Sequence, residues 1–160
     1  MKLKLNCQIG IYGGDFVIRE ATQADALALA ELAIKMWPGN TVSELQSEFL
    51  DLISSDNSVC FIKYVGNKEV GFVQCQLRND YVEGTDTSPV GYLEGIFIEK
   101  EYRHRGYAKD LLSKFEKWAK EKNCTEIASD CEIDNDISLE FHLSMGFEEV
   151  NRIICFRKDI

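Results

Sequence analysis

The stretch from residue 90 to residue 122 constrains the fold more than any other part of the chain. Val90-Gly91-Tyr92-Leu93-Glu94-Gly95-Ile96-Phe97-Ile98 is strand-like, and its two glycines mark a bulge or a close backbone approach. From Ala108 onward, Leu111, Leu112, Phe115, Trp118 and Ala119 recur at helical spacing with lysines on the other face, which predicts an amphipathic helix to about Lys122. Between the two stands Glu101-Tyr102-Arg103-His104-Arg105-Gly106-Tyr107-Ala108. A turn at this point presents the unpaired N–H groups of a helix's first turn, and the positive end of its dipole, to an anion. Gly106 lets backbone approach a phosphate, Ala108 keeps the helix start slim, and Arg103 and Arg105 add positive charge. A pyrophosphate fits this pattern. So does a capped surface turn, and R-x-x-G-x-A alone is too short to separate the two.

The remainder reads as one patterned unit. Phe16-Val17-Ile18 is a short β-branched run, followed by a helix with Ala26, Leu27, Ala30, Ala33 and Ile34 at helical spacing, stopped at Trp37-Pro38-Gly39-Asn40. Thr41 and Ser43 can cap a second helix, with Leu45, Phe49, Leu50 and Ile53 as its apolar stripe and Glu44 and Glu48 facing elsewhere. Val59 to Val65 and Glu69 to Leu77 are strands of a hairpin turning at Gly66-Asn67, residues that tolerate positive φ. After a polar loop from Arg78 to Pro89, the strand and helix above follow. Then come a short strand at Glu126 to Ser129, a short helix from Ile137 to Met145 stopped by Gly146, and a closing strand from Glu148 to Arg157. The expected order is β-α-α-β-β-β-α-β-α-β, an α/β unit. With no repeat or linker in 160 residues, a single domain spanning 1–160 is expected, its core at about 16–157.

Charge and cysteine usage narrow the function classes. A net charge of −9 argues against a nucleic-acid partner and suits a cationic one, although acidity also serves solubility. Six cysteines, Cys7, Cys60, Cys75, Cys124, Cys131 and Cys155, form no CxxC pair, and several lie in apolar runs, so we expect reduced core thiols. His104 and His142 lack ligand spacing to them, and no metal is expected. The lysine-bearing start has no apolar run of signal-peptide length, and no 18-residue apolar stretch occurs, so no membrane span and a cytoplasmic location are expected.

Taken together, the strand Leu93 to Ile98, the segment Arg103-His104-Arg105-Gly106-Tyr107-Ala108, Asn135 and Phe141-His142-Leu143-Ser144-Met145-Gly146-Phe147 resemble, in order and spacing, the acetyl-CoA signature of the GNAT superfamily. The resemblance implies a mixed, mostly antiparallel, twisted sheet with flanking helices, whose fourth strand splays from the fifth around the pantetheine of acetyl-CoA. Backbone groups of Ile96, Phe97 and Ile98 would then bond pantetheine as an added strand does, and Asn135 would contact the cofactor arm. His142 stands where most members of the family carry a tyrosine that protonates the leaving thiolate. A histidine can supply a proton, and it can equally be a satisfied, partly buried residue of a helix.

A narrower likeness lies in residues 81–96, Tyr81-Val82-Glu83-Gly84-Thr85-Asp86-Thr87-Ser88-Pro89 and the strand start, with Trp37 upstream and Ala128-Ser129-Asp130 downstream. These look like aminoglycoside 6'-N-acetyltransferases. By that likeness Trp37 and Tyr81 wall a sugar site, Glu94 and Asp130 contact its ammonium groups, and a homodimer is expected. Some relatives have an acid where this chain has Asn151, a contact that Glu148 or Glu149 could take over. The implied reaction is attack of the 6'-amine on the thioester, with Glu94 or Asp130 receiving the proton and His142 serving the thiolate. Neutralising an alkyl amine with a pKa of roughly 10.4 at pH 7 costs about 4 to 5 kcal/mol, so a base is needed. A polyamine or protein amine as acceptor, and a CoA-binding module without turnover, remain as alternatives.

Overall fold

The structure, a computed structural model, describes residues 16–160. Cys7 and the lysine-bearing start lie outside the described residues. In chain order the elements are β1 (Phe16–Glu20), α1 (Ala26–Ala33), α2 (Val42–Ile53), β2 (Ser58–Val65), β3 (Lys68–Arg78), β4 (Val90–Ile98), α3 (Tyr107–Glu121), β5 (Ile127–Ser129) and α4 (Asp136–Ser144). The five strands form one sheet in the order β1-β2-β3-β4-β5, antiparallel except for the parallel β4–β5 pair. This mixed α/β sheet with flanking helices is the architecture the resemblance implies.

Each sheet face carries its own core. On one, Phe61, Val73, Cys75 and Leu93 pack against Leu111, Leu112, Phe115 and Trp118 of α3. On the other, Ile62 and Phe72 meet Leu29 and Ala30 of α1 and Leu45 and Phe49 of α2. Alternation along β2 and β3 sends neighbouring side chains to opposite cores, and each fully buried Phe or Leu contributes about 1.5 to 3 kcal/mol. The start of α2 is fixed by a capping box, in which the Glu44 N–H donates to Thr41 Oγ1 at 3.2 Å while the Glu44 carboxylate accepts from the Thr41 N–H at 2.8 Å.

The strongest local departure lies on β4. Gln74 pairs with Gly95 and Cys75 with Leu93, so Glu94 is the extra residue of a β-bulge. Leu93 keeps to the α3 face, whereas Glu94 and Gly95 both address α1 and α2. A Cβ on Gly95 would come within 2.9 Å of the Trp37 ring, so the bulge and Trp37 approach each other closely.

Two expectations are corrected. Residues 148–157 form no strand: the described chain from 149 to 160 is irregular and exposed, and the outer edge of the three-residue β5 pairs with nothing described. Cys60, Cys75 and Cys124 are buried free thiols, but Cys131 and Cys155 are exposed and not core residues. The β2–β3 hairpin turns at Gly66-Asn67 as expected, with Gly66 at φ 59°.

Candidate active site

The turn that leads into α3 is built around Gly106. Gly106, at φ 82°, is the N-cap of α3, and no side chain caps that helix. Among the described residues, the N–H groups of Tyr107, Ala108 and Lys109 have no hydrogen-bond acceptor. The arginines build the turn before they serve a ligand. Arg103 Nε donates to the Ile98 carbonyl at 2.9 Å, and Arg105 donates to the Glu101 carbonyl at 3.0 Å. His104 takes a left-handed conformation, with φ 59°, that turns the chain toward Gly106. Tyr107 is buried, its ring facing the Lys63 ammonium at 4.5 Å, and that ammonium holds Asp110 at 2.9 Å on the side of β2. The one acid in the helix's first turn is thereby neutralised.

Upstream of the turn, β4 and β5 part. They pair only through Gly91–Ile127, Tyr92–Ala128 and Leu93–Ser129, after which β4 runs on through Ile96, Phe97 and Ile98 without β5 beside it. This parting leaves Ile96, Phe97 and Ile98 as the approach to the turn, where the Ile98 carbonyl meets Arg103. At its apex, Ser129 Oγ donates to the Leu93 carbonyl at 3.0 Å and lies 2.9 Å from His142 Nε2. The other ring nitrogen, Nδ1, donates to the Ser138 carbonyl at 2.7 Å. Phe141 and Phe147 flank the imidazole edge-on, with centroids 5.4 and 5.1 Å away. Asn135 is the N-cap of α4, and its Oδ1 accepts from the Ser138 N–H at 3.1 Å, so α4 and the imidazole it carries are positioned together.

On the α1–α2 face the carboxylates gather. Glu94, Glu48, Trp37, Asn40, Leu45 and Gln74 line a cleft of about 290 Å³. Glu94 is mostly covered, and both its oxygens accept from Arg78 Nη2, at 3.0 and 3.2 Å. The guanidinium lies 3.2 Å from the centroid of Tyr92, whose hydroxyl donates to Asp130. Burial first, and the Asp130 carboxylate second, hold the Tyr92 phenol well above its ordinary range, so it stays a donor. Glu94 and Asp130 are thus joined through Arg78 and Tyr92, a linkage that the sequence reading missed. An arginine at the last residue of β3, opposite the start of the bulged strand, was the available signal. Glu48 was missed as well: it was assigned to the outer face of α2, yet it stands one turn from Leu45 and opens into the same cleft.

Tyr81 is not brought to that cleft. It is 80% exposed and donates to Glu83 at 2.9 Å. Glu83 also accepts from Asn151 Nδ2 at 2.9 Å, and these two bonds hold its carboxyl below the usual range. The chain therefore sets an acid of its own, from the 79–89 loop, beside the asparagine. Glu148 lines a separate cleft of about 360 Å³ with Glu83, Glu116 and Glu126, while Glu149 is paired with Arg152 at 2.6 Å.

Comparison with known proteins gives one consistent family. Residues 26–147 match the model of the acetyltransferase (GNAT) family. An aminoglycoside N(6')-acetyltransferase type 1 of Acinetobacter baumannii is 40% identical over 144 residues, covering 89% of this chain and 96% of that protein. The solved structure of the aminoglycoside N-acetyltransferase AAC(6')-Iy in complex with CoA superposes with a TM-score of 0.89 at 34% identity, covering 95% of this chain and 100% of that one. AAC(6')-Iy in complex with a bisubstrate analog, CoA-S-monomethyl-acetylneamine, gives 0.86 at 34% identity, covering 91% and 99%.

Proposed function

The chain belongs to the acetyltransferase (GNAT) family, and we propose that it transfers the acetyl group of acetyl-CoA to the 6'-amine of aminoglycosides. The observation that carries this reading is the meeting, on one bulged strand, of a cofactor cleft and an acidic pocket. From Ile96 to Ile98, β4 borders the splay and leads to the anion turn. Two residues earlier, it delivers Glu94 to a pocket walled by Trp37. A cationic sugar held there meets the thioester at the strand's bulge.

In this reading, the amides of Tyr107, Ala108 and Lys109 hold the pyrophosphate, with Gly106 keeping the approach clear and Arg103, His104 and Arg105 shaping the turn. Asn135 presents α4 to the cofactor arm. Trp37 gives the sugar an apolar wall, and Glu94 and Asp130 receive its ammonium groups, while Tyr81, which lies outside the cleft, makes no contact with it. Glu94, directly or through water, takes the proton from the attacking amine, and His142 serves the departing thiolate. Such an enzyme works in the cytoplasm, where acetyl-CoA is made, as a single domain.

We infer further that it is a homodimer. Ile153, Ile154 and Phe156 are 64%, 81% and 92% exposed, and among the described residues the outer edge of β5 pairs with nothing. A second copy is the occupant that buries such a tail, since strand addition satisfies both the edge and the side chains. Truncation after Arg152 should convert a dimer to a monomer in sedimentation experiments; a monomeric full-length chain would end this inference.

The central test is thiol release from acetyl-CoA on adding kanamycin or neamine, with mass spectrometry locating the acetyl group. A single 42-Da addition at the 6'-amine is expected. Turnover only with linear polyamines, or acetyl-CoA binding without turnover on any amine, would replace this reading.

A further inference from the structure

Ser129 ends the β4–β5 ladder in an unusual way. The parallel register runs Gly91–Ile127, Tyr92–Ala128, Leu93–Ser129, and the Gly91 N–H donates to the Glu126 carbonyl at 3.2 Å. The Leu93–Ser129 pair is the last rung, and there the Leu93 carbonyl also accepts from the Ser129 hydroxyl at 3.0 Å. The same oxygen lies 2.9 Å from His142 Nε2. The hydroxyl that closes the sheet at the splay is therefore also the hydroxyl that touches the imidazole.

Proton counting limits how this contact can be made. The Ser138 carbonyl, 2.7 Å from Nδ1, accepts a proton carried by Nδ1, and the Ser138 hydroxyl lies 3.3 Å from the same nitrogen. Ser129 has one proton, which either the Leu93 carbonyl or Nε2 can accept. Where it serves the carbonyl, the Nε2 contact is a hydrogen bond only when Nε2 carries a proton too and donates to Ser129 Oγ. All three bonds are made together only around an imidazolium. With a neutral ring, the single serine proton serves either Nε2 or the Leu93 carbonyl, and one acceptor goes without.

We propose that Ser129 is a relay residue of the acetyl transfer, passing a proton from His142 to the departing thiolate. The proposal rests on the acetyl-transfer reading above, though not on which amine is the acceptor. In the step, the thioester C–S bond breaks and its electron pair remains on sulfur. Sulfur takes the Ser129 hydroxyl proton, and Ser129 Oγ takes the Nε2 proton, leaving neutral His142 and free CoA thiol. The proton released by the attacking amine passes to Glu94 and then to solvent, and solvent recharges His142 for the next turnover. The end of the ladder suits the step, because past the Leu93–Ser129 pair β4 runs on without β5 beside it, the place the acetyl-transfer reading gives the cofactor. It also accounts for a histidine on α4 that lies against β5 and reaches the cleft through a serine.

The test compares Ser129→Ala, Ser129→Thr, His142→Gln and the double variant, each checked for folding by its unfolding temperature and for cofactor binding by calorimetry with CoA. Ser129→Ala should lower kcat roughly 100- to 10,000-fold, the range of a lost proton donor, with the KM for acetyl-CoA within about twofold of wild type. Ser129→Thr, which keeps the hydroxyl, should restore most of kcat. The double variant should be no slower than the slower single one, and the solvent isotope effect on kcat should fall in Ser129→Ala. Additive losses in kcat, an unchanged isotope effect, or a loss that appears in the KM for acetyl-CoA with kcat intact would overturn the relay and leave Ser129 as a rung of the sheet. Should aminoglycosides prove inert and another amine be acetylated, the substrate assignment falls while the same four variants judge the relay on that amine.

Discussion

At the scale of single residues, the ion pair between Arg78 and Glu94 decides what a substrate has to do. Glu94 is the bulge residue, and both its oxygens already face a guanidinium stacked on Tyr92. An incoming ammonium must take Arg78's place, and a base cannot accept a proton while paired to it. Arg78 is 40% exposed, so the exchange costs little, about 0.5 to 1 kcal/mol. Arg78→Gln should therefore lower the KM for an aminoglycoside about two- to fivefold, whereas Glu94→Gln should lower kcat/KM by well over threefold. Steady-state kinetics checks both; a raised KM in Arg78→Gln would mean that the arginine holds Glu94 in its working position. The cysteines give a second residue-scale test. Burial pushes the Cys60 thiol up to about 12 and holds the Cys75 thiol well above its ordinary value, while Cys131 and Cys155 are exposed. Native-state alkylation followed by peptide mass spectrometry should label Cys131 and Cys155 and spare Cys60 and Cys75.

Among elements, those whose residues carry their own instructions were legible. The strand at 90–98, the helix from 107 and the hairpin at 66–67 follow from apolar spacing and turn chemistry within each segment. The bulge was signalled by two glycines, but its register was not, since only the β3 partner shows that Glu94 is the extra residue. The tail was misread for the same reason: Val150, Ile153, Ile154 and Phe156 have the composition of a strand, and composition does not say which edge receives them. Local instructions also fix the entry to α1. Asp25 accepts from the Thr22 N–H at 2.7 Å and from Arg19 at 2.6 and 2.8 Å, and these bonds, Arg19's foremost, hold its carboxyl well below its ordinary range. A carboxyl depressed in the folded state stabilises above its unfolded pKa of about 3.9, and the contribution fades as pH falls from there toward the folded value. Asp25→Asn should thus cost about 1 to 2 kcal/mol at pH 7, read as a lower unfolding temperature. The gap from wild type should narrow below about pH 4; a gap independent of pH would contradict the charge-based account.

For the molecule as a whole, charge and local architecture pull in opposite directions on the two substrates. The net charge of −9 attracts a polycationic sugar from a distance and repels the phosphates of CoA, which must be won by the local amides of α3 and the arginines before it. The sequence carried the total charge and the glycine turn into α3 plainly. It did not carry the arrangement of Arg78, Tyr92 and Asp130, because that depends on where the β3 end, β4 and the end of β5 meet. These two ranges of force respond differently to salt. Raising ionic strength from 0.01 to 0.15 M shortens the screening length from about 30 to about 8 Å, which removes long-range attraction while leaving contacts within the clefts largely intact. The KM for an aminoglycoside should rise severalfold over that range with kcat nearly constant, whereas the KM for acetyl-CoA should change less, because its loss of local attraction is offset by relief from the acidic surface. Parallel rises in both constants would show that salt acts on the enzyme generally and that the acidic field plays no part in capturing the cation.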